Sequence, residues 1–174
     1  MRHRIWCLCF YLLVTLVLVT ATSAESGSST CESSREGECN AKSEKSIHTV
    51  SREELETKNG EGGSEIWLSV MGKVYDVTAG DSFYGKGMSY GAFSATDCTV
   101  CFVTGVFSPE EAAKHPDVLS DTMLPGVLEW VTFYETHDLY KFVGYLVDPR
   151  YYDENGDPTK SLIALRKRIS KLQN

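Results

Sequence analysis

Residues 82–93 read SFYGKGMSYGAF, and this stretch constrains the fold more than any other part of the chain. Three glycines, at positions 85, 87 and 91, stand among four aromatic residues, a composition that does not suit a close-packed core. Glycine permits close backbone approach and positive φ, so such segments commonly form functional loops around another group. We therefore ask which group, if any, Tyr84 and Tyr90 bind.

The first 24 residues have the layout of a secretory signal peptide. Two arginines near the start precede an apolar run at 5–19, and small residues end at Ala24. An uncleaved signal anchor is the alternative, because roughly 17–25 apolar residues span a bilayer. Whether the segment is a cleaved signal peptide or a signal anchor, its basic N-terminal end stays on the cytoplasmic side of the membrane. The sequence therefore predicts a protein that is secreted or in the lumen of the endomembrane system, membrane-anchored if the segment is not cleaved.

Acidic residues dominate the rest of the chain. The formal net charge is −7, and removing residues 1–24 leaves 15 Lys+Arg against 24 Asp+Glu, or −9. This charge argues against a nucleic-acid partner. Residues 25–46 are rich in Ser, Glu and Lys and predict a flexible linker. We expect a folded domain at 47–148 and a C-terminal extension at 149–174.

Local patterns predict that this domain is small and α+β. Capping boxes at Ser51 and Ser108 each predict a short helix. Alternating residues at 66–70 and 73–77 predict a hairpin, and 140–147 is rich in strand-forming residues.

Two longer helices are expected. Segment 123–136 begins close to Pro125, and its apolar face is expected to hold Met123, Val127, Trp130, Phe133 and Tyr134. Segment 162–172 carries five basic residues in or beside it: Lys160, Arg166, Lys167, Arg168 and Lys171. Its apolar stripe packs on the domain or, alternatively, the helix binds a membrane surface.

Four cysteines follow the N-terminal segment, as the local pairs Cys31/Cys39 and Cys98/Cys101. In an oxidising compartment they are candidates for two disulfides, and local pairing is one of three connectivities. Cys98-Thr-Val-Cys101 is also a C-x-x-C motif, for which thiol redox chemistry is the alternative to a structural disulfide.

No enzyme is predicted. The histidines at 48, 115 and 137 lack paired-ligand spacing, and the chain contains no HExxH, P-loop or G-x-S-x-G motif. A phenol has an ordinary pKa near ~10, so tyrosine is a weak metal ligand at neutral pH. Ferric haem iron, however, does accept tyrosine as an axial ligand. The residues alone leave both haem binding and aromatic packing open for Tyr84 and Tyr90.

The pattern KVYDVT–G–FYG–G–YGAF over 73–93 resembles the membrane-associated progesterone receptor family, a branch of the cytochrome b5-like haem/steroid-binding fold. The similarity runs from about Ile47 to Leu162 and includes VTGVFSPEEA (103–112), LEWVTFYE (128–135) and VGYLVDPRYYDENGDPT (143–159). It implies a short mixed sheet with helices around a haem pocket.

The resemblance also implies a ligand set for non-covalently bound haem b. Cytochrome b5 holds haem with two histidines, one in an HPGG motif that this chain lacks. The receptor branch uses one tyrosine on the iron, which corresponds to Tyr90, while Tyr84 and Tyr140 line the pocket. In some relatives a lysine precedes the tyrosine that corresponds to Tyr140, and Leu139 stands in its place in this chain.

The chain departs from the family directly after the loop. Relatives read close to FAGRDASRG, whereas residues 93–101 read FSATDCTVC. Asp97 is kept and is carried over as a cofactor-binding residue. Thr96 and Val100 replace two arginines, which would be natural partners of a haem propionate.

The favoured function is therefore a haem-binding module that signals or binds a protein partner or receptor in a haem-dependent way. One alternative is electron transfer or thiol redox chemistry. The other is a haem-free interaction domain that keeps the fold.

Overall fold

The computed structural model describes residues 48–173, which form a four-stranded mixed sheet with helices packed on it. The strands are β1 (Thr49–Val50), β2 (Trp67–Val70), β3 (Lys73–Asp76) and β4 (Lys141–Leu146). Their order is β1-β4-β3-β2, with β1 parallel to β4 and the other pairs antiparallel. The predicted segments 1–24 and 25–46, with Cys31 and Cys39, lie outside the described residues.

The predicted hairpin is confirmed as β2 and β3, and its turn docks on two other parts of the chain. Met71 and Gly72 both have positive φ, 51° and 71°, as a two-residue type I′ turn requires. The Met71 N–H donates to the Thr99 hydroxyl at 2.8 Å, which helps to hold a non-glycine residue in this conformation. A Cβ at Gly72 would lie 2.4 Å from the Cβ of Tyr151, so only glycine fits there.

Within residues 48–173, six α-helices accompany the sheet: α1 (Arg52–Thr57), α2 (Asp81–Tyr84), α3 (Cys101–Thr104), α4 (Pro109–Ala112), α5 (Leu124–Thr136) and α6 (Lys160–Ser170). The helices predicted to start at Ser51 and Ser108 are confirmed, each with the serine as its N-cap. The Ser51 hydroxyl accepts from the Glu54 N–H at 3.1 Å, and Ser108 accepts from Glu111 at 3.2 Å. The α+β class is confirmed as well.

The buried face of α5 differs from the predicted one. It consists of Leu124, Val127, Val131 and Tyr134. Trp130 is half-buried, and its ring stacks on Phe102 of α3 at 4.4 Å between centroids. Val127 and Tyr134 were therefore predicted correctly, Met123, Trp130 and Phe133 are half-buried, and Leu124 and Val131 complete the buried face.

Helix α6 packs on the domain through its apolar stripe, in which Leu162, Leu165 and Ile169 are buried. Two arginines of α6 donate hydrogen bonds to residues outside the helix. Arg166 donates to the Tyr152 hydroxyl at 2.7 Å, and Arg168 donates to the Leu119 carbonyl at 2.7 Å. Across residues 48–173, no helix has the length and hydropathy to cross a bilayer.

Candidate functional site: a tyrosine pocket

Residues 82–93, called here the tyrosine loop, fold into a closed turn structure. The Gly85 N–H donates to the Asp81 carbonyl at 2.8 Å and ends α2 directly after Tyr84. The Tyr90 N–H then returns to the Phe83 carbonyl at 2.9 Å. These bonds close the loop on itself and bring Tyr90 back beside Tyr84.

The three predicted tyrosines lie together, and we call this group the tyrosine pocket. The Tyr84 ring centroid is 6.1 Å from that of Tyr90 and 5.9 Å from that of Tyr140. Gly80 permits this arrangement, because a Cβ there would lie 2.7 Å from Tyr140 Oη and 3.1 Å from Tyr84 Cδ2. The turn before α2 therefore needs glycine for Tyr140 to reach the loop.

The three tyrosines differ in how much of each side chain is buried. Tyr84 is 1% exposed and Tyr140 is 8% exposed, and burial raises the pKa of both phenols, that of Tyr84 strongly. The hydroxyl of Tyr84 shares a hydrogen bond with that of Tyr134 at 3.0 Å. Tyr90, in contrast, is only half-buried. Of the three, it is the phenol most accessible to a ligand that enters from solvent.

Aromatic rings extend the pocket along one side. Tyr90 stacks on Phe93 with a centroid distance of 5.6 Å and an angle of 11°. Phe93 packs on Phe102 at 4.5 Å and on Phe107 at 4.8 Å. These rings make an apolar wall next to Tyr90, which suits a flat ligand with a large apolar area.

Sequence reasoning missed His137, which adjoins the pocket. Its ring stacks on Tyr140 with 3.8 Å between centroids and an angle of 11°. Its Nδ1 accepts the Leu139 N–H at 3.2 Å, so its remaining proton is on Nε2 when the ring is neutral. Burial lowers the pKa of this imidazole. No spacing signal in the sequence could have linked it to Tyr140, since the contact depends on the turn after α5.

Tyr134 was expected on the apolar face of α5 but not in the pocket. Its hydroxyl meets that of Tyr84, and its ring packs on Tyr75 of β3 at 5.3 Å. It therefore connects the tyrosine pocket to the sheet.

Asp97, predicted to bind the cofactor, lies in a buried hydrogen-bond network. Its carboxylate is 2% exposed and accepts hydrogen bonds from Ser69, Thr99 and Tyr151 at 3.1, 2.8 and 2.7 Å. Arg150 Nη1 lies 3.6 Å from its Oδ2. Burial raises the pKa of this carboxyl, although the charge of Arg150 and the three hydrogen bonds each act to lower it. Its carboxylate oxygens therefore already have partners inside the protein, and the cofactor-binding role of Asp97 stays a prediction.

The predicted disulfide between Cys98 and Cys101 is absent, and both residues are buried thiols. Cys98 Sγ donates to the Phe93 carbonyl at 3.4 Å, under the tyrosine loop, while Cys101 begins α3. Burial raises the pKa of Cys98 well above its ordinary value and that of Cys101 to about 11. Two shielded thiols of this kind are poor nucleophiles.

Comparison with known proteins bears on the family to which this domain belongs. The family described as "Cytochrome b5-like Heme/Steroid binding domain" matches residues 51–146. A Drosophila pseudoobscura pseudoobscura neuferricin homolog is 39% identical over 121 residues, 68% of this chain and 41% of that protein. The Arabidopsis thaliana membrane-associated progesterone-binding protein 4 is 36% identical over 122 residues, 70% of this chain and 49% of that protein.

A solved structure supports the same assignment. It is an Arabidopsis thaliana protein described as having a cytochrome b5 like fold, 25% identical, with a TM-score of 0.53; the match covers 63% of this chain and all of that one. The chain spans less than half the length of these two curated relatives. The expected family is confirmed, since the family match takes in more than half of the chain. This chain belongs to the cytochrome b5-like haem/steroid-binding domain family.

Proposed function

We propose that the chain binds haem b non-covalently in the tyrosine pocket, with the Tyr90 phenolate as the single axial ligand. Membership of a haem/steroid-binding family supports haem as the ligand class. The observation that carries the proposal is the difference in burial between the half-buried Tyr90 and the enclosed Tyr84 and Tyr140. Only an accessible phenol can reach an iron centre that docks from outside.

The residues present fit such a group. Haem supplies a ferric iron whose charge stabilises a bound phenolate. Tyr90 provides the oxygen ligand, and Phe93 and Phe107 provide apolar contact for the ring system. Tyr84 and Tyr140 stay neutral because burial raises the pKa of each phenol, so they act as hydrogen-bond donors. Among residues 48–173, no group of three or more His, Cys, Asp or Glu is arranged to hold a metal ion by itself.

The physiological role that fits this site is binding, not catalysis. A single anionic ligand favours ferric over ferrous iron and leaves the opposite face of the ring accessible. Such a site suits haem-dependent signalling or association with a protein partner, in the secretory pathway that the N-terminal sequence predicts. An electrostatic contact between Lys160, Lys167 and Lys171 and a membrane surface is a further part of this proposal, because the apolar stripe of α6 is already buried.

A haemin titration of the full-length chain, followed by visible absorption, tests the ligand. We expect a saturable ferric high-spin spectrum of the tyrosinate type. Tyr90→Phe should abolish that spectrum, while Tyr145→Phe, a tyrosine change outside the tyrosine pocket, should leave it unchanged. An identical spectrum in Tyr90→Phe would refute the assigned ligand. The absence of any specific spectrum in the unmodified chain would favour a haem-free interaction domain.

A further inference from the structure

A histidine at the end of α5 presents a fixed hydrogen-bond donor beside the tyrosine pocket. The His137 imidazole stacks on Tyr140 with 3.8 Å between centroids, and the Phe133 ring packs against it at 5.2 Å and an angle of 61°. Its Nδ1 accepts the Leu139 N–H at 3.2 Å. These three contacts fix the orientation of the ring, and Nε2 carries the donating N–H of the neutral imidazole.

The Nε2 atom of His137 is open to a ligand. Within residues 48–173, no group accepts a hydrogen bond from this atom. The side chain is half-buried, and Nε2 is not one of the fully enclosed side-chain atoms that lack a partner. An acceptor that arrives from solvent can therefore reach it while the ring stays stacked on Tyr140. A donor that is already oriented adds little ordering cost to binding.

The charge state of His137 suits an anionic acceptor. Burial lowers the pKa of the imidazole, and the carboxylate of its exposed neighbour Asp138 acts in the opposite direction. The neutral ring donates through its Nε2–H, and a carboxylate bound there would favour the protonated ring. A hydrogen bond to an ionised acceptor is stronger than one between two neutral groups.

The side of the tyrosine pocket formed by Phe93 and Phe107 is apolar. The two rings pack together at 4.8 Å between centroids. The nearby Tyr84 hydroxyl is enclosed and already shares its hydrogen bond with that of Tyr134. A carboxylate placed against these rings would lose its hydration without a replacement. A flat ligand with carboxylates at one edge therefore gains most when it turns that edge toward His137.

We propose that His137 is a haem-binding residue whose Nε2–H donates to a propionate carboxylate, which fixes how the porphyrin is turned in the tyrosine pocket. This inference rests on the proposed haem site and adds the group that recognises the carboxylate edge of haem b. The less polar edge of the porphyrin then lies toward Phe93 and Phe107. Tyr140 supports the imidazole by stacking and holds it in place before the ligand arrives.

Haemin and its dimethyl ester, in which both propionates are uncharged, test this role. Each is titrated into the full-length chain with quenching of tryptophan fluorescence as the readout, because quenching reports bound porphyrin whatever the axial ligand is. His137→Phe keeps an aromatic ring on Tyr140 but removes the donor. It should weaken haemin binding about ten-fold and change the affinity for the ester by less than about two-fold.

His115 provides the matched control. It is also half-buried, and its Nδ1 likewise accepts the N–H of the second residue on, Asp117, at 3.1 Å. Its Nε2 is already bonded to the Ser161 hydroxyl at 2.6 Å. His115→Phe should leave both affinities unchanged. His137→Gln, which restores a side-chain N–H, should recover part of the haemin affinity that His137→Phe loses.

The outcomes separate this inference from the choice of iron ligand. A Tyr90→Phe chain that keeps the parental spectrum would refute the assigned ligand and leave the role of His137 standing. Equal losses of haemin and ester affinity in His137→Phe would show a structural role and overturn the inference, as would an unchanged haemin affinity. If haemin did not quench the parent chain at all, the haem site itself would be refuted, and this inference with it.

Discussion

At the scale of single residues, the buried tyrosine hydroxyls are of two kinds. Those of Tyr84 and Tyr134 bond to each other at 3.0 Å, and that of Tyr151 donates to Asp97 at 2.7 Å. The Tyr75 hydroxyl is equally enclosed but has no partner within residues 48–173. Removing a hydroxyl should therefore have opposite effects on stability at the two kinds of site.

Tyr75→Phe should raise the free energy of unfolding by about 1 kcal/mol, because it deletes a buried polar group that makes no bond. Tyr134→Phe, the matched control on the stacked neighbour, should lower it by about 1 kcal/mol, since the Tyr84 hydroxyl loses its partner. Urea denaturation of both variants measures the difference. A Tyr75→Phe chain less stable than the parent would show that this hydroxyl is hydrogen-bonded.

At the scale of elements, the turn that leads into α2 determines how closely the tyrosines approach. Gly80→Ala would place a Cβ 2.7 Å from Tyr140 Oη, so Tyr140 must move away from the tyrosine loop. We expect haemin affinity about ten-fold weaker, the usual scale of an overpacking cost, with the far-ultraviolet circular dichroism preserved. The haemin titration already described measures the change.

Gly87→Ala is the control for that prediction. Gly87 has a φ of +78°, and no atom lies within 4 Å of a Cβ placed there. The variant should lose about 1 kcal/mol of stability through backbone strain, without displacing Tyr140. Equal haemin affinities for the two variants would argue that the Gly80 contact does not position the pocket.

Helix α6 contributes to the fold through its buried side chains, whatever its basic residues bind. Leu165 is 2% exposed, and Leu165→Ala should cost about 2–5 kcal/mol of unfolding free energy. The exposed Lys167 on the same helix provides the control, and Lys167→Gln should stay within about 0.5 kcal/mol of the parent. Thermal unfolding compares them, and a mild Leu165→Ala effect would mean that α6 is dispensable.

At the scale of the whole molecule, a buried ionic network ties together segments that are distant in sequence. Arg150 donates to both oxygens of Asp148 at 2.8 and 2.9 Å, and to the carbonyls of Ala112 and Lys114 at 2.9 and 3.1 Å. Arg52 of α1 also pairs with Asp148. The segment after β4 is thereby joined to α1 and to the end of α4.

This network predicts loss of stability in acid. Burial alone would raise the pKa of Asp148, but the bonds from Arg150 and the charge of Arg52 outweigh it and hold the pKa below its ordinary 3.8. The ionised form therefore stabilises the fold fully above about pH 4, and this contribution is lost as pH falls through the lower folded-state pKa. Urea midpoints measured from pH 6 to pH 2 should fall more steeply for the parent chain than for Asp148→Asn. Parallel curves would contradict this account.

Most elements could be predicted from the sequence, and so could the grouping of Tyr84, Tyr90 and Tyr140, whose role as site residues stays a prediction. The caps at Ser51 and Ser108, the hairpin around Met71 and the loop that carries Tyr84 and Tyr90 depend on neighbouring residues, so local patterns identify them. The hydrogen-bond partners of Asp97 and the full set of buried residues on α5 could not be predicted. They depend on partners that are distant in the sequence, such as Ser69 and Tyr151 for Asp97 and Phe102 for Trp130, and one sequence contains no information on those distances.

The sequence by itself determined the α+β class, the tyrosine loop and the family, because spacing, capping and motif residues are local properties. Only the tertiary structure decided which phenol is accessible, that Cys98 and Cys101 are separate thiols, and that the Tyr75 hydroxyl has no hydrogen-bond partner among residues 48–173. Burial and hydrogen bonding depend on how the helices pack on the sheet. The raised pKa values of Tyr84 and Tyr140, and the greater accessibility of Tyr90 on which the haem proposal rests, therefore depend on that packing.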